Sequence, residues 1–142
     1  MRACILLVGL LLTACDAVTN TDVAIIAEDR APEVLKQCSR PTPQATGFWT
    51  PDEQVVAQAE SHLDQITRLP GNINEPRRYL RQYVGVVVEE KRVLYINAGA
   101  DRRHLKDATD PLVMCDGGRG YWGAVFDPDL GEFQDLKING LG

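Results

Sequence analysis

The chain has 142 residues, 25% of them charged and 44% apolar, with four cysteines and a formal charge of −5. That length supports one compact domain and leaves little room for a second. The acidic balance argues against nucleic acid as a partner and against a strongly basic membrane-surface patch.

The first feature in chain order is a leader. Arg2 precedes an apolar run over residues 4–12, and small residues follow, which is the three-part layout of a secretory signal peptide. The run is shorter than the roughly 20 apolar residues that a transmembrane helix needs. The stretch Leu12-Thr13-Ala14-Cys15 resembles the lipobox of bacterial lipoproteins. That resemblance implies that the Cys15 thiol receives a diacylglyceryl group, that residues 1–14 are cut away as a signal peptide, and that the new amino group is acylated, with palmitate as the typical chain. Each buried methylene contributes about 0.8 kcal/mol, so two or more acyl chains hold a protein firmly to a bilayer. The competing reading is a plain signal peptide that happens to end on a cysteine. A lipid anchor on Cys15 places the protein in the cell envelope, facing the periplasm. Asp16 resembles the signal that retains enteric lipoproteins in the inner membrane, which leans the location that way without deciding between inner and outer membrane.

With Cys4 discarded and Cys15 lipidated, Cys38 and Cys115 are the remaining pair in an oxidising compartment, and a disulfide between them is expected. Closing so long a loop contributes on the order of 4 kcal/mol in the loop-entropy model. A thiol catalyst is the alternative, and the chain has no Cys-x-x-Cys to support it. Loss of Arg2 makes the mature chain one charge more negative.

Residues 15–31 read as a lipidated N-terminus and tether, with one apolar patch at 23–27, and residues 32–142 as a single domain. "PEVLKQC" has the composition of one or two helical turns with Pro32 at the first position. "RPTPQATGFWTP", with three prolines and a glycine, reads as extended loop. Thr50-Pro51-Asp52-Glu53 forms a capping box with Thr50 as cap, and Val56, Ala59, Leu63 and Ile66 then recur at helical spacing until Leu69-Pro70-Gly71 ends the pattern. "YVGVVV" (83–88) and "RVLYIN" (92–97) flank "EEK" as a β-hairpin. "YWGAVF" (121–126) and "EFQDLKI" (132–138) form a second, and "PLVMC" (111–115) is a candidate short strand. One main helix packed on an antiparallel sheet of four to five strands is an α+β domain, with a cystatin-like wrap as one candidate topology.

"RQYVG" (81–85), "QCSRPTP", "GFWTP" and the terminal "CDGGRGYWGAVFDPDLGEFQDLKINGLG" resemble a family of small uncharacterised proteobacterial lipoproteins or exported proteins. The likeness covers most of residues 33–142. It supports the domain boundary and the paired cysteines, and because that family has no assigned activity it transfers no catalytic residue.

The individual motifs carry little chemistry. Asp116-Gly117-Gly118-Arg119-Gly120 leads into a strand, whereas phosphate loops lead into a helix. Asp127-Pro128-Asp129-Leu130-Gly131-Glu132 lacks the glycine position and distal bidentate acid of a calcium loop, and reads as a hairpin turn. Ser61 and His62 are helix neighbours expected to point apart, and His104 lies in the charged segment "ADRRHLKD". Neither pattern specifies a metal site, and no cofactor is implied. One feature stands above this background. Arg77, Arg78, Arg81, Lys91, Arg92, Arg102, Arg103 and Lys106 crowd the middle of the chain, while Asp110, Asp116, Asp127, Asp129, Glu132 and Asp135 gather at its end. Mutual neutralisation across neighbouring strands is one reading. The other is a basic face, with Arg102, Arg103 and His104 at its centre and aromatics such as Trp49, Tyr121 and Trp122 as anchors, for an anionic envelope component or protein. The expected function is a non-enzymatic binding or accessory module tethered by Cys15, with inhibitor, immunity-type or envelope-accessory roles all compatible. The alternative is a small envelope hydrolase using His104 or His62 with nearby carboxylates.

Overall fold

The computed structural model describes residues 22–142, so the leader, Cys15 and Asp16 lie outside the described residues. The fold is α+β, a six-stranded sheet with few helices and one disulfide. Its strands are β1 (Val23–Ile26), β2 (Gly47–Trp49), β3 (Leu80–Val88), β4 (Lys91–Gly99), β5 (Tyr121–Asp127) and β6 (Glu132–Ile138). The helices are a single turn, α1 (Ala31–Val34), and α2 (Glu53–Ser61), which tightens into a 3₁₀ segment over Leu63–Arg68. No helix among the described residues is long and apolar enough to cross a membrane.

The strand order is β1-β3-β4-β5-β6, and β3 organises it. One edge of β3 pairs along its whole length with β4, from Leu80↔Gly99 to Val88↔Lys91. The other edge is shared end to end: β1 runs parallel to its first half, from Val23↔Arg81 to Ile26↔Val84, and β2 runs antiparallel to its second half, from Gly47↔Val87 to Trp49↔Gly85. A parallel neighbour demands a long crossover, and residues 27–79, which carry β2 and α2, supply it. The fold therefore begins before Pro32. The apolar patch expected within a tether is β1, held because Ala24 and Ile26 are buried while Val23 and Ile25 pack on the opposite face.

Both hairpins form as their alternation predicts. Val88 and Lys91 are joined by Glu89 and Glu90 alone, with φ of 49° and 66°, the doubly left-handed geometry of a type I′ turn. In the second hairpin the Asp127 carboxylate accepts N–H bonds from Asp129 and Leu130, and Gly131 takes a φ of 66°. That is turn chemistry, and it uses the acid that a calcium loop needs free. A register shift between Gly123 and Val125 gives β6 an extra residue, with Asp135 at φ 54°, so this edge strand is bent.

Side chains alternate onto two apolar layers. On one face Tyr83, Leu94, Ile96, Trp122, Ala124 and Phe126 meet Val56, Ala59, Leu63 and Ile66 of α2 and the segment after it. The helix cap differs from the expected one: Asp52, not Thr50, accepts the Val55 N–H at 2.9 Å, and Thr50 instead accepts the Glu28 N–H at 3.0 Å. Asp52 is one residue nearer the helix and its carboxylate reaches the free amides directly. The opposite face is also covered. Ala31 and Val34 of α1, then Leu35, Ala45 and Phe48, lie over Val84, Val86, Val93, Tyr95 and Val125. "PLVMC" is not a strand, because side-chain amides take its backbone: Gln82 accepts from the Leu112 N–H, and the Leu112 carbonyl accepts from Asn97 and Gln37.

Candidate ligand-binding groove

The Cys38–Cys115 disulfide, with Cα atoms 5.1 Å apart, fixes the segment that builds this second layer. Around it Gln37 donates to the carbonyls of Val34 and Leu112, and the Ser39 hydroxyl accepts the N–H groups of Asp116 and Gly140. The next residue, Arg40, is only 6% exposed, yet among the described residues no carboxylate pairs with it. Its guanidinium instead donates to three neutral oxygens: Oδ1 of Asn97, Oδ1 of Asn139 and, at 3.2 Å, the hydroxyl of Tyr95. Both amides are oriented for this by their other ends. The Asn97 amide nitrogen donates to Gln82 Oε1 and the Leu112 carbonyl, and the Asn139 nitrogen to the carbonyls of Met114 and Asp116. The result is a buried cation, solvated by dipoles and without a counter-charge among the described residues.

Beyond Arg40 the chain runs out as Pro41-Thr42-Pro43-Gln44 and forms one wall of a groove enclosing about 580 Å³. Its floor is the sheet: Val88, Val93 and Val125, with Tyr95 at the Arg40 end. Tyr95 lies across the Gly123 position, where an added Cβ would collide with the phenol oxygen. Burial pushes the Tyr95 phenol above its ordinary pKa, against the pull of the neighbouring Arg40 charge. The far wall is β6, with Gln134, Asp135 and Lys137, and the mostly exposed Leu130 sits at the lip. At the hairpin end Lys91 donates to Asp127 at 2.6 Å, and this bond holds the Asp127 carboxyl below its usual range.

The residues expected in a basic face are dispersed. Arg102 pairs with Asp22 at 2.9 Å and Arg103 with Asp101 at 2.6 Å, and the bonds from Arg103 hold the Asp101 carboxyl well below the usual carboxylate range. Arg77 and Arg81 meet Glu60, Arg78 meets Glu75, and Arg92 lies over the Trp49 ring at 5.5 Å. Neutralisation dominates, by nearby acids at Arg78 and Arg103 and by acids distant in sequence at Arg77, Arg81, Lys91 and Arg102; of the C-terminal acids, Asp127 reaches Lys91 and Asp110 reaches Arg30. His104 is exposed in the loop following Arg103. Trp122 is not a surface anchor: it is fully buried in the α2-facing core, edge-on to Tyr79, because inward alternation along β5 leaves it no other place.

Ser61 and His62 do not point apart. His62 ends α2, leaves helical geometry, and brings Nδ1 to 3.0 Å from the Ser61 hydroxyl. Both groups lie within hydrogen-bond distance of the Gln58 carbonyl, at 2.7 and 2.9 Å, so the pair is spent on capping the helix. Neither histidine forms an ion pair with a carboxylate among the described residues, and neither lines the groove. The groove, Arg40 and its amide cage were missed from sequence. One signal was present: Gln82 and Asn97 are polar residues at inward positions on a sheet face otherwise lined by Val84, Val86, Val93 and Tyr95, and they prove to be register partners.

No family model, curated protein or solved structure matches this chain.

Proposed function

We propose that this chain is a periplasm-facing envelope lipoprotein, tethered through lipid on Cys15, that acts as a non-enzymatic binding or accessory module through the groove. The observation that carries the binding role is the composition of the groove. An aliphatic floor of ligand size is bordered by amides, a tyrosine and an ion pair, and its lining contains no histidine, cysteine or serine. The layout suits a tethered binder. Arg81 donates its N–H to the Asp22 carbonyl, so the chain enters the sheet at the Arg81 end of β3, while Val88 and Lys91 mark the groove at the other end, about 23 Å away at about 3.3 Å per residue. The residues between Cys15 and Asp22 reach no more than about 25 Å, which keeps the domain close to the bilayer. Asp16 favours the inner membrane. The test is expression of the full chain and of Cys15→Ser with a palmitate analogue. Label and membrane association are expected for the parent alone, and label persisting on Cys15→Ser overturns the tether.

A further inference from the structure

We infer that the groove is a site for a small amphiphilic monoanion, a free aliphatic carboxylate, with its chain on the Val88, Val93 and Val125 floor and its head group at Tyr95. The inference rests on the reading of the groove as the binding surface and adds the class of ligand. Three observations converge on it. First, Arg40 is a buried cation without a carboxylate among the described residues, and it stands directly behind the Tyr95 end of the groove. Buried charges are ordinarily paired, so this end of the cavity carries an uncompensated positive field. Secondly, the Tyr95 hydroxyl accepts from Arg40 Nε and retains its own proton, for which the described residues provide no acceptor. A phenol polarised in this way is a strong donor, and a carboxylate oxygen is the acceptor that gains most from it. Thirdly, the rest of the floor is aliphatic, and the 580 Å³ volume falls within the range of small-molecule sites.

The charges around the rim fit one anion. Asp127 is already neutralised by Lys91, while Lys137 stands on the β6 wall with no ion pair among the described residues. Glu89, Asp135 and Lys137 are all exposed at the lip, where water screens them, so the charge that counts is buried Arg40. A single guanidinium balances a single negative charge, which favours a carboxylate over a phosphate dianion. Arg40 acts through Tyr95 and is a positioning residue.

Titration of the folded protein by calorimetry with decanoate, decan-1-ol and acetate separates the parts of this inference. Decanoate is expected to bind in the micromolar to millimolar range, decan-1-ol about ten-fold more weakly, and acetate not measurably. Tyr95→Phe keeps the ring and removes the donor. It is expected to cost decanoate about ten-fold while leaving decan-1-ol unchanged, a split that a merely structural role of the hydroxyl would not produce. Equal binding of decanoate and decan-1-ol, or equal losses for both in Tyr95→Phe, overturns the anion class while leaving the groove a binding site. Absence of binding by all three probes to protein whose cooperative unfolding shows it native overturns both this inference and the use of the groove. Neither result bears on the tether, which the Cys15→Ser labelling tests separately.

Discussion

The Glu60 carboxylate of α2 receives Nε and Nη2 of Arg81 on β3 at 2.7 and 3.0 Å, and the Tyr83 hydroxyl at 2.7 Å. Arg81 is almost wholly buried and spends a further nitrogen on the carbonyls of Arg77 and Tyr79. Burial, and then Glu60 itself, push the Tyr83 phenol well above its ordinary pKa, so it stays a donor throughout the physiological range. This network clips the main helix to the central strand. Breaking a buried pair by removing one partner strands the other, at a cost of about 3 to 5 kcal/mol. Glu60→Ala is therefore expected to lower unfolding free energy by about 3 kcal/mol in urea titration, with Glu60→Leu combined with Arg81→Met recovering much of the loss. An effect of Glu60→Ala within about 0.5 kcal/mol, the size of an ordinary surface substitution, sinks the clip.

The parts of the fold legible in sequence are those whose information is local. The two hairpins carry their register in the alternation of 83–88 with 92–97 and of 121–126 with 132–138, and α2 carries its stripe from Val56 to Ile66. β1 was hidden because its four residues gain their partner through a parallel pairing with β3, far along the chain, and nothing in "VAII" encodes that neighbour. β2 was hidden for the same reason behind the prolines that flank it. The groove was less legible still. Its wall depends on a disulfide and on two side-chain amides, Asn97 and Asn139, that converge on Arg40 from separate segments, with Gln82 orienting Asn97 from behind. Such sites form in space rather than along the chain.

The Cys38–Cys115 bridge holds the origin of that wall, so its removal has two expected effects. Replacing both cysteines by alanine should lower stability by roughly 4 kcal/mol in the loop-entropy model, read from denaturant midpoints with and without reductant. It should also loosen residues 37–44, because the side chains that tie this segment to the fold, Gln37, Ser39 and Arg40, all lie beside the bridge. Amide exchange measured across the segment should quicken more than exchange in β3 and β4. Two alkylatable thiols in folded, exported protein would refute the bridge itself.

The hairpin turn offers a stabilising change. Glu89 and Glu90 both hold positive φ, a conformation that L-residues with side chains adopt at a cost and that Asn-Gly adopts readily. Neither carboxylate forms an ion pair among the described residues, and both are exposed. Glu89→Asn with Glu90→Gly is expected to raise unfolding free energy by about 1 kcal/mol. A lowered midpoint would mean that the glutamates contribute more through charge than their backbone strain costs.

The last prediction concerns acid. The Asp127 side chain is 5% exposed, and its pKa is held down chiefly by the hydrogen bond from Lys91, with N–H bonds from Leu130 and Asp129 adding to it. A folded-state value below the unfolded one means that the native protein binds fewer protons than the unfolded chain. The stabilisation is therefore complete above the unfolded value of about 4, and is lost as the pH falls through the folded value. Lys91 shifts the opposite way: its raised pKa leaves its contribution intact below the ordinary lysine range and lost only at strongly alkaline pH. Between these limits the pair is insensitive to pH. Denaturant midpoints for the parent and Asp127→Asn should run parallel from neutral pH down to about 5 and converge below about 4, as protonation removes from the parent what the amide already lacks. Curves that stay parallel to pH 2 would show that Asp127 does not bring the Lys91 bond into the acid limb of stability, and that other carboxylates govern acid unfolding.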